Sequence, residues 1–292
     1  MKHLLLAIDR SSQSWEATRL AVHMAPRLKA RVTVLSIVVP GAPEKEAREL
    51  GGREYGATRE LVDDVVKMLA AAGVNARGEV GTCSPHAVAE KILSSATRLE
   101  TDLIIMGSRG RGELTGLLLG SVSHEVAMRA NCPVVIVPTG AATIAEPRRI
   151  VLVVDGEGDL ERPVAVTAEL ARALNAEVEV VCVDRTLGDD GESRDLSSAS
   201  NPDEEAVAAA AATLMKAGLN VRRRMIDNRR GFAPEVAREV VAGGADMVVI
   251  GARAIGFIGS DVAAGAAEAV LHRTHRPVVV APARRRVGRL SR

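Results

Sequence analysis

Two stretches of sequence decide the architecture of this chain, DLIIMG at residues 102–107 and DMVVIG at residues 246–251. Each is an aliphatic run of strand length between an aspartate and a glycine, and the second follows the first by 144 residues. The same spacing separates PVVIVP at 133–138 from PVVVAP at 277–282. Stretches that recur in one order and at one spacing rarely arise by chance, so the sequence predicts two homologous halves.

Two more aliphatic stretches recur in the same order. LLLAID at 4–9 returns as IVLVVD at 150–155, and RVTVL at 31–35 returns as EVEVV at 177–181. Between the halves, residues near 139–149 carry glycine, proline and charge, as a linker does. We therefore predict two domains, at 1–142 and 145–283, followed by an arginine-rich tail at 284–292.

Each half alternates short aliphatic runs with helical patterns. The runs do not alternate apolar with polar residues, which is typical of parallel strands buried on both faces. Strands that alternate with helices predict an α/β class, with a doubly wound, Rossmann-like, five-stranded parallel sheet in each half. In the first half, the predicted strands are 3–8, 31–38, 74–81, 102–106 and 133–137, and the predicted helices are 12–28, 53–72, 85–98 and 121–130.

The second half is expected to follow the same order with two differences. A polar stretch at 184–202, rich in Asp, Gly and Ser, predicts a loop. The third helix is expected to be about one turn shorter, because Ala237 stands closer to Asp246 than Ala89 stands to Asp102.

The composition excludes several classes of protein. The 292 residues carry a net charge of +1, with 47% apolar and 26% charged residues, so the chain is globular without being basic. Two Phe, one Trp and one Tyr cannot form a base-stacking platform. No apolar stretch approaches the roughly 20 residues of a membrane span, and three separated cysteines predict buried thiols in a reducing compartment. We expect a cytoplasmic protein with no nucleic-acid partner and no membrane partner.

The segment after the fourth predicted strand has the composition of an anion-binding loop. It reads GSRGRGELTGLLLGSVS at 107–123, a G-x2-G-x9-G-S pattern. Glycines let the backbone approach a bulky anion, and successive N–H groups form a nest for it. Arg109 and Arg111 add positive charge, and a helix begins near Gly120 with its N–H groups free. Because open α/β sheets bind ligands beyond the carboxyl ends of their strands, the pattern indicates a polyphosphate site.

The loop resembles that of the universal stress proteins, in the form that carries two such domains in one chain. DRSSQS at 9–14 and the closing strand PVVIVP at 133–138 are also similar to that family, and the resemblance covers roughly residues 1–283. It implies five-stranded parallel sheets with ATP, or ADP or AMP, with or without Mg, at the strand ends. It also implies that the two domains pair through their last strands, 134–137 with 278–281, and leaves a further homodimer open. Both segments are short, flat and aliphatic, and such an edge strand favours pairing.

Candidate nucleotide-binding residues follow from the resemblance by motif position. Asp9 stands where an acidic residue of the family holds the adenosine moiety, and Ile37 stands where backbone contacts adenine. The ribose and phosphate loop takes Gly107, Arg109, Gly110, Gly120, Ser121, Val122 and Ser123. No residue is assigned a catalytic or metal-binding role.

The second half departs from the loop pattern. The residues that correspond to Gly110, Gly120 and Ser121 are Ala254, Ala264 and Gly265. The serine-rich turn after the first strand is replaced by DGEGD at 155–159, which adds negative charge where phosphates would lie. We predict that the first half binds nucleotide and that the second half is a degenerate structural partner.

The leading interpretation is a stress-response protein that binds nucleotide as a regulator or sensor, not as an enzyme. Two alternatives stay open, a slow ATP hydrolase and a nucleotide-free interaction scaffold. The hydrolase alternative is weakened because the sequence offers no evident catalytic pair of residues. Glu113 is the one carboxylate within the loop. His272, His275 and the arginines of the tail are interpreted as surface residues.

Overall fold

A computed structural model describes residues 1–40, 47–108, 120–138, 146–154, 160–184, 201–227, 232–251, 270–271 and 275–282. The strands of the first half are β1 (His3–Ile8), β2 (Arg31–Val38), β3 (Ala76–Thr82), β4 (Leu103–Gly107) and β5 (Val134–Val137). Its helices are α1 (Ser12–Leu28), α2 (Ala47–Ala71), α3 (Val88–Arg98) and α4 (Ser121–Arg129), with a 3₁₀ turn at Pro85–Ala87 before α3.

The second half repeats this order over the residues that the structure describes. Its strands are β6 (Arg149–Val154), β7 (Glu177–Asp184), β8 (Val221–Asp227), β9 (Met247–Gly251) and β10 (Val278–Ala281). Its helices are α5 (Glu161–Leu174), α6 (Pro202–Lys216) and α7 (Phe232–Ala242). The loop predicted at 184–202 falls almost entirely on residues outside those described.

The ten strands form one sheet in the order β3-β2-β1-β4-β5-β10-β9-β6-β7-β8. Within each half every pairing is parallel, which confirms the predicted α/β class. In the first half the chain runs outward from β1 through β2 to β3 and then returns to β4 on the other side of β1. The order therefore reverses between β1 and β4, which is the topological switch point of this sheet.

Both faces of the sheet are buried, as unbroken aliphatic strands require. Leu4 and Leu6 of β1 pack with α1, α2, α5 and α6 on one face. Leu5 packs with α3, α4 and α7 on the other face. Since neighbouring strand residues point to opposite faces, a strand covered on both sides must be apolar at every position.

The two halves join through β5 and β10, which pair antiparallel with Val135 opposite Val279. Both strands are fully buried and each also pairs in parallel with a strand of its own half, β4 or β9. The joint therefore leaves neither strand as an open edge, as the edge argument predicts. Because β5 and β10 pair antiparallel, the strands of the two halves run in opposite directions. The carboxyl ends of the first-half strands therefore form one edge of the sheet, which runs across the strands, and those of the second-half strands form the opposite edge.

The third helix of the second half is not shortened, so that expectation was wrong. α3 and α7 each contain 11 residues and keep the spacing of 144 at both ends. Aligning Ala89 with Ala237 shifted the comparison by about one turn. An amphipathic pattern repeats every three to four residues, so it still matches after such a shift.

One aspartate in each half fastens the start of the first strand. A carboxylate oxygen of Asp102 accepts hydrogen bonds from the backbone N–H groups of Lys2 and His3, at 2.6 and 3.0 Å. Asp246 makes the same two bonds to Arg148 and Arg149, at 2.9 and 3.0 Å. Although burial opposes ionisation, the two donors hold the pKa of Asp102 below its usual range. The aspartate in both repeated motifs thus has a structural role.

His3 follows in β1, is 2% exposed, and makes hydrogen bonds through both ring nitrogens. Nδ1 lies 2.9 Å from the carbonyl oxygen of Leu99, so it carries the proton, and Nε2 accepts from the Thr33 hydroxyl at 2.8 Å. Arg77 donates in turn to Thr33. Burial, with the positive charges of Arg31 and Arg77, lowers the pKa of His3 below its ordinary value. The ring is therefore held in its neutral form.

His3 makes the stability of the fold depend on pH in the acidic range. In the unfolded chain His3 takes up a proton at the ordinary histidine pKa of about 6.5, whereas in the folded chain it does so only at lower pH. The free energy of unfolding is therefore not reduced by His3 above about pH 6.5, and it decreases as pH falls from there towards the pKa of His3 in the folded chain. His3→Gln removes this titration, so its melting temperature should fall less than that of wild type between pH 7.5 and pH 5.5. The exposed His86 provides the control, because His86→Gln should leave the wild-type pH dependence. Equal acid losses in His3→Gln and wild type would contradict this account.

Candidate functional site

The carboxyl ends of β1 and β4 lie at the switch point of the sheet, where a binding crevice is expected. Ala7 of β1 lies opposite Met106 of β4, so the chains that leave these strands start side by side. β1 leads through Asp9 into α1, and β4 leads through Gly107 into the glycine loop. In sheets of this type, two chains that diverge from neighbouring strands leave space for a ligand between them.

Asp9 is oriented by the serines that follow it. Its Oδ1 accepts from the backbone N–H of Ser11 at 2.9 Å and from the hydroxyl of Ser14 at 2.7 Å. The backbone N–H of Asp9 donates back to Ser14 Oγ at 2.8 Å. Within the described part of the chain Oδ2 has no hydrogen-bond partner, so one oxygen of a fixed carboxylate is available to a ligand.

The same serines start α1. Ser11 has extended backbone angles and its side chain accepts from the N–H of Ser14, which makes it the N-cap of the helix. The helix therefore begins directly beside the Asp9 carboxylate. Trp15, the single tryptophan of the sequence, follows in the first turn and is 38% exposed. Its fluorescence is a suitable reporter for events at this edge.

The two ends of the glycine loop are tied together at Ser108. The carbonyl oxygen of Ser108 accepts from the backbone N–H of Gly120 at 2.8 Å and from the Ser123 hydroxyl at 2.7 Å. Ser108 itself is fixed to β5 through its N–H, which donates to the carbonyl of Val137. The N-terminus of α4 is thereby anchored beside the end of β4. Arg109 and Gly110 lie outside the described residues.

Among the described residues, no side chain caps the start of α4. Gly120 is the N-cap and has no side chain with which to bond the first N–H groups, and N–H groups of this kind bind anions. Ser121 is exposed at the first helical position, whereas Val122 is half-buried against the apolar cluster on that face. Ser123 is 2% exposed and its hydroxyl already donates to Ser108 and Gly120, so its role in the crevice is to hold the helix in place.

Ile37 lies on the next strand outward from Asp9. It is half-buried near the carboxyl end of β2, opposite Gly81 of β3, and packs against the cluster that includes Leu35. The predicted site residues in the described ranges thus occupy three neighbouring strand ends and one helix N-terminus. Among the described residues no group of His, Cys, Asp or Glu is arranged to hold a metal ion.

The sequence reasoning missed Ser108, whose carbonyl holds the loop together. The position of Ser108, directly after the buried strand β4, was the available signal. A carbonyl that accepts two hydrogen bonds depends on backbone geometry and not on residue type. A motif of residue types therefore does not reveal it.

The second half presents different strand ends. β7 and β8 end in register at Asp184 and Asp227, where β2 and β3 end in register at Val38 and Thr82. Two acidic residue positions thus lie next to each other on the second-half edge. Asp155 and the second-half loop at 252–269 lie outside the described residues.

Comparison with known proteins identifies the family. The sequence profile of the universal stress protein family matches residues 1–138 and again residues 146–282. The chain belongs to the universal stress protein family. The two matches establish the tandem form that the repeats predict.

Individual relatives agree with this membership. Universal stress protein Mb2028c of Mycobacterium bovis is 26% identical over 296 residues, which cover 95% of this chain and 96% of the relative. Universal stress protein YxiE of Bacillus subtilis is 31% identical over 146 residues, which cover 46% of this chain and 97% of the relative. The match to YxiE therefore has about the length of one half of this chain.

Solved structures share the fold over the whole chain. A universal stress protein from Archaeoglobus fulgidus DSM 4304 superposes with a TM-score of 0.71 at 17% identity, covering 96% of each chain. One from Pseudomonas aeruginosa UCBPP-PA14 superposes with a TM-score of 0.60 at 15% identity, covering 97% of this chain and 94% of the other. At these identities the likeness concerns the fold alone.

The anchor at Ser123 yields a stability prediction. Ser123→Ala removes a buried hydroxyl whose one proton is shared between the carbonyl oxygens of Ser108 and Gly120, and it should lower the free energy of unfolding by about 1–2 kcal/mol. Ser121→Ala, two residues away and exposed, should change it by less than about 0.5 kcal/mol. Urea denaturation followed by circular dichroism measures both. Equal effects of the two substitutions would show that Ser123 does not anchor the loop.

Proposed function

We propose that the first half, residues 1–142, binds an adenine nucleotide at the carboxyl ends of β1, β2 and β4, and that the protein acts as a nucleotide-dependent regulator or sensor in stress. The observation that carries this proposal is the arrangement at the switch point. Neighbouring strands β1 and β4 lead there to a carboxylate with one available oxygen and to a helix start that has no side-chain cap and is anchored beside β4. Family membership supports a role in stress, and the site geometry supports the ligand.

Each part of a nucleotide has a matching group in this crevice. The available oxygen of Asp9 suits the ribose hydroxyls, which are hydrogen-bond donors. The N–H groups at the start of α4 suit phosphate oxygens, and Arg109 and Arg111 of the loop would add positive charge. Ile37 provides an aliphatic wall for adenine, consistent with a sequence that has no aromatic residue in the strand-end motifs. A magnesium ion, where present, would be bound by the phosphate groups of the nucleotide.

Regulation would follow if the protein has two states that differ in their affinity for nucleotide. Phosphate contacts beside Ser108 and Gly120 would favour one of these states. A ligand shifts such an equilibrium only by its difference in affinity for the two states. The bound arrangement would then present a different surface to a partner protein or to a second copy of the chain. No catalytic residue is assigned in this proposal.

The second half, residues 145–283, is proposed to be a partner domain that does not bind nucleotide. Ala264 and Gly265 replace the glycine and serine at the start of the fourth helix. The adjacent strand ends at Asp184 and Asp227 add acidic positions to this edge, which disfavours a polyphosphate. Its contribution is the burial of β10 against β5.

We place the protein in the cytoplasm on the basis of its cysteines. Cys83, Cys132 and Cys182 form no disulfide, and burial raises the pKa of Cys132 to about 11, so that it stays protonated and unreactive. Separately, among the described residues no helix combines the length and the apolar character needed to cross a membrane.

Gly120→Ala tests the phosphate end of the site. Gly120 has φ −67° and ψ 152°, angles that alanine adopts without strain, so the variant should fold normally. The melting temperature of the variant without ATP shows whether the added Cβ disturbs the fold itself. We expect at least a tenfold loss of ATP affinity, measured by Trp15 fluorescence and by the ATP-induced rise in melting temperature. Gly56→Ala is the control, since Gly56 is exposed on α2 and an added Cβ meets nothing within 4 Å. Wild-type ATP affinity in Gly120→Ala would refute this site.

Asp9→Asn tests the adenosine end. The amide keeps the shape of the carboxylate but loses its charge, and a hydrogen bond to a charged group contributes about 1.5–3 kcal/mol, or roughly 10- to 100-fold in affinity. ATP binding should weaken by that factor, whereas binding of inorganic triphosphate, which has no ribose, should be unchanged. Gly120→Ala should weaken both ligands. If Asp9→Asn weakens ATP and triphosphate equally, Asp9 does not hold the nucleoside.

A further inference from the structure

A groove of about 410 Å³ lies on the face of the first half that carries α3, over the outer strands β2 and β3. Leu35 and Gly81 contribute to its floor, Glu79 lies at its rim, and one face of α3 forms its wall through Lys91, Ser95 and Arg98. Leu35 and Glu79 are opposite each other in mid-strand, away from the strand ends at Asp9. At one end the groove adjoins the proposed nucleotide site, because Gly81 lies opposite Ile37. Most of its lining is in mid-strand and on α3, and its volume suits a small organic ligand.

The equivalent space in the second half is filled by larger side chains. Strand register makes Glu79 equivalent to Arg224 and Gly81 equivalent to Ile226. Ile226 is buried in the apolar cluster on this face, where Gly81 offers no side chain. The two halves share one topology, so the groove comes from these residues and not from the fold.

The helix wall differs in the same way. Ser95 and Glu239 are equivalent because their carbonyls accept from Leu99 and Gly243, residues that are 144 positions apart. Arg224 donates to Glu239 at 2.8 Å and to Glu179 at 2.9 Å, which bridges strand and helix across the second-half space. In the first half, the short Ser95 side chain leaves the corresponding space open.

Two polar groups in the groove lack partners within the described chain. Ser95 is 4% exposed, and its hydroxyl makes no hydrogen bond there. Lys91 makes no ion pair there, and its aliphatic stem lies over Gly81, with Cε 3.2 Å from the position of an added Cβ. Glu79 pairs with both Arg98 and Arg77, so one carboxylate is shared by two arginines. The ammonium of Lys91, one helical turn from Ser95, adds a further positive charge, so the groove has an excess of positive charge.

We infer that this groove binds a small organic anion, whose carboxylate or phosphate group pairs with Lys91 and accepts from the Ser95 hydroxyl. The apolar body of the ligand lies on Leu35 and on the bare backbone of Gly81. Such a ligand supplies the hydrogen bond that Ser95 lacks and the charge that Lys91 lacks. The second half satisfies its corresponding positions internally and binds no ligand of this kind.

A titration of the full chain, labelled with ¹⁵N, tests the inference with three compounds of similar shape. Benzoate carries a carboxylate, phenyl phosphate carries a phosphate, and benzyl alcohol is neutral. We expect saturable shifts of the Gly81 and Ser95 amide resonances with one or both anions, and at least tenfold weaker binding of benzyl alcohol. The stronger anion identifies the head group. No saturable shift with either anion, or equal binding of benzyl alcohol, would overturn the inference.

Three variants locate the binding. Gly81→Ile imitates the second half and should abolish it, because its side chain would take up the space beside Lys91 and Ile37. Lys91→Gln should weaken it about tenfold. Lys67→Gln, which removes an exposed α2 lysine paired with Asp64, should leave it unchanged. Wild-type affinity in Lys91→Gln would overturn the inference even if Gly81→Ile fails to fold.

Saturating ATP should leave the benzoate affinity unchanged, and competition between ATP and benzoate would show that the groove is part of the nucleotide site.

Discussion

The antiparallel pairing of β5 with β10 is the constraint on which the rest of this structure depends. Each strand is flat and aliphatic, with no charge or proline inside it to protect an open edge. Their pairing converts two five-stranded sheets into one sheet of ten strands and buries both. The antiparallel sense also sends the two sets of strand ends to opposite edges. Each half must therefore bind, or fail to bind, a ligand with its own residues.

This separation explains how one half can lose a site without disturbing the other. The fastening of the first strand by Asp102 recurs at Asp246, because both halves need it to fold. The residues at the strand ends and on the α3 face of the sheet are not repeated in the second half. Val38 and Thr82 give way to Asp184 and Asp227 at the edge, and Gly81 gives way to Ile226 on the face. The aspartates that fasten the first strand are shared, and the residues at the proposed ligand sites differ.

The class, the repeat and the positions of the inner strands could be predicted from sequence, because burial on both faces requires a continuous aliphatic run. The outer strands β3 and β8 have no such run. The length of α7 could not, because a helical pattern matches itself after a shift of one turn. Asp9 could be assigned by motif, but the available oxygen on its carboxylate depends on how Ser11 and Ser14 fold back. The groove beside Ser95 was also beyond sequence reasoning, since it arises from small side chains on separate elements that only the tertiary structure brings together.

The central claim is that one half of a duplicated chain holds a nucleotide and the other does not. The number of ATP molecules bound per chain tests it most directly, by isothermal titration calorimetry on the full-length protein. The account predicts saturation at one nucleotide per chain. Saturation at two would contradict the degenerate second half, and the absence of binding would contradict the nucleotide site itself.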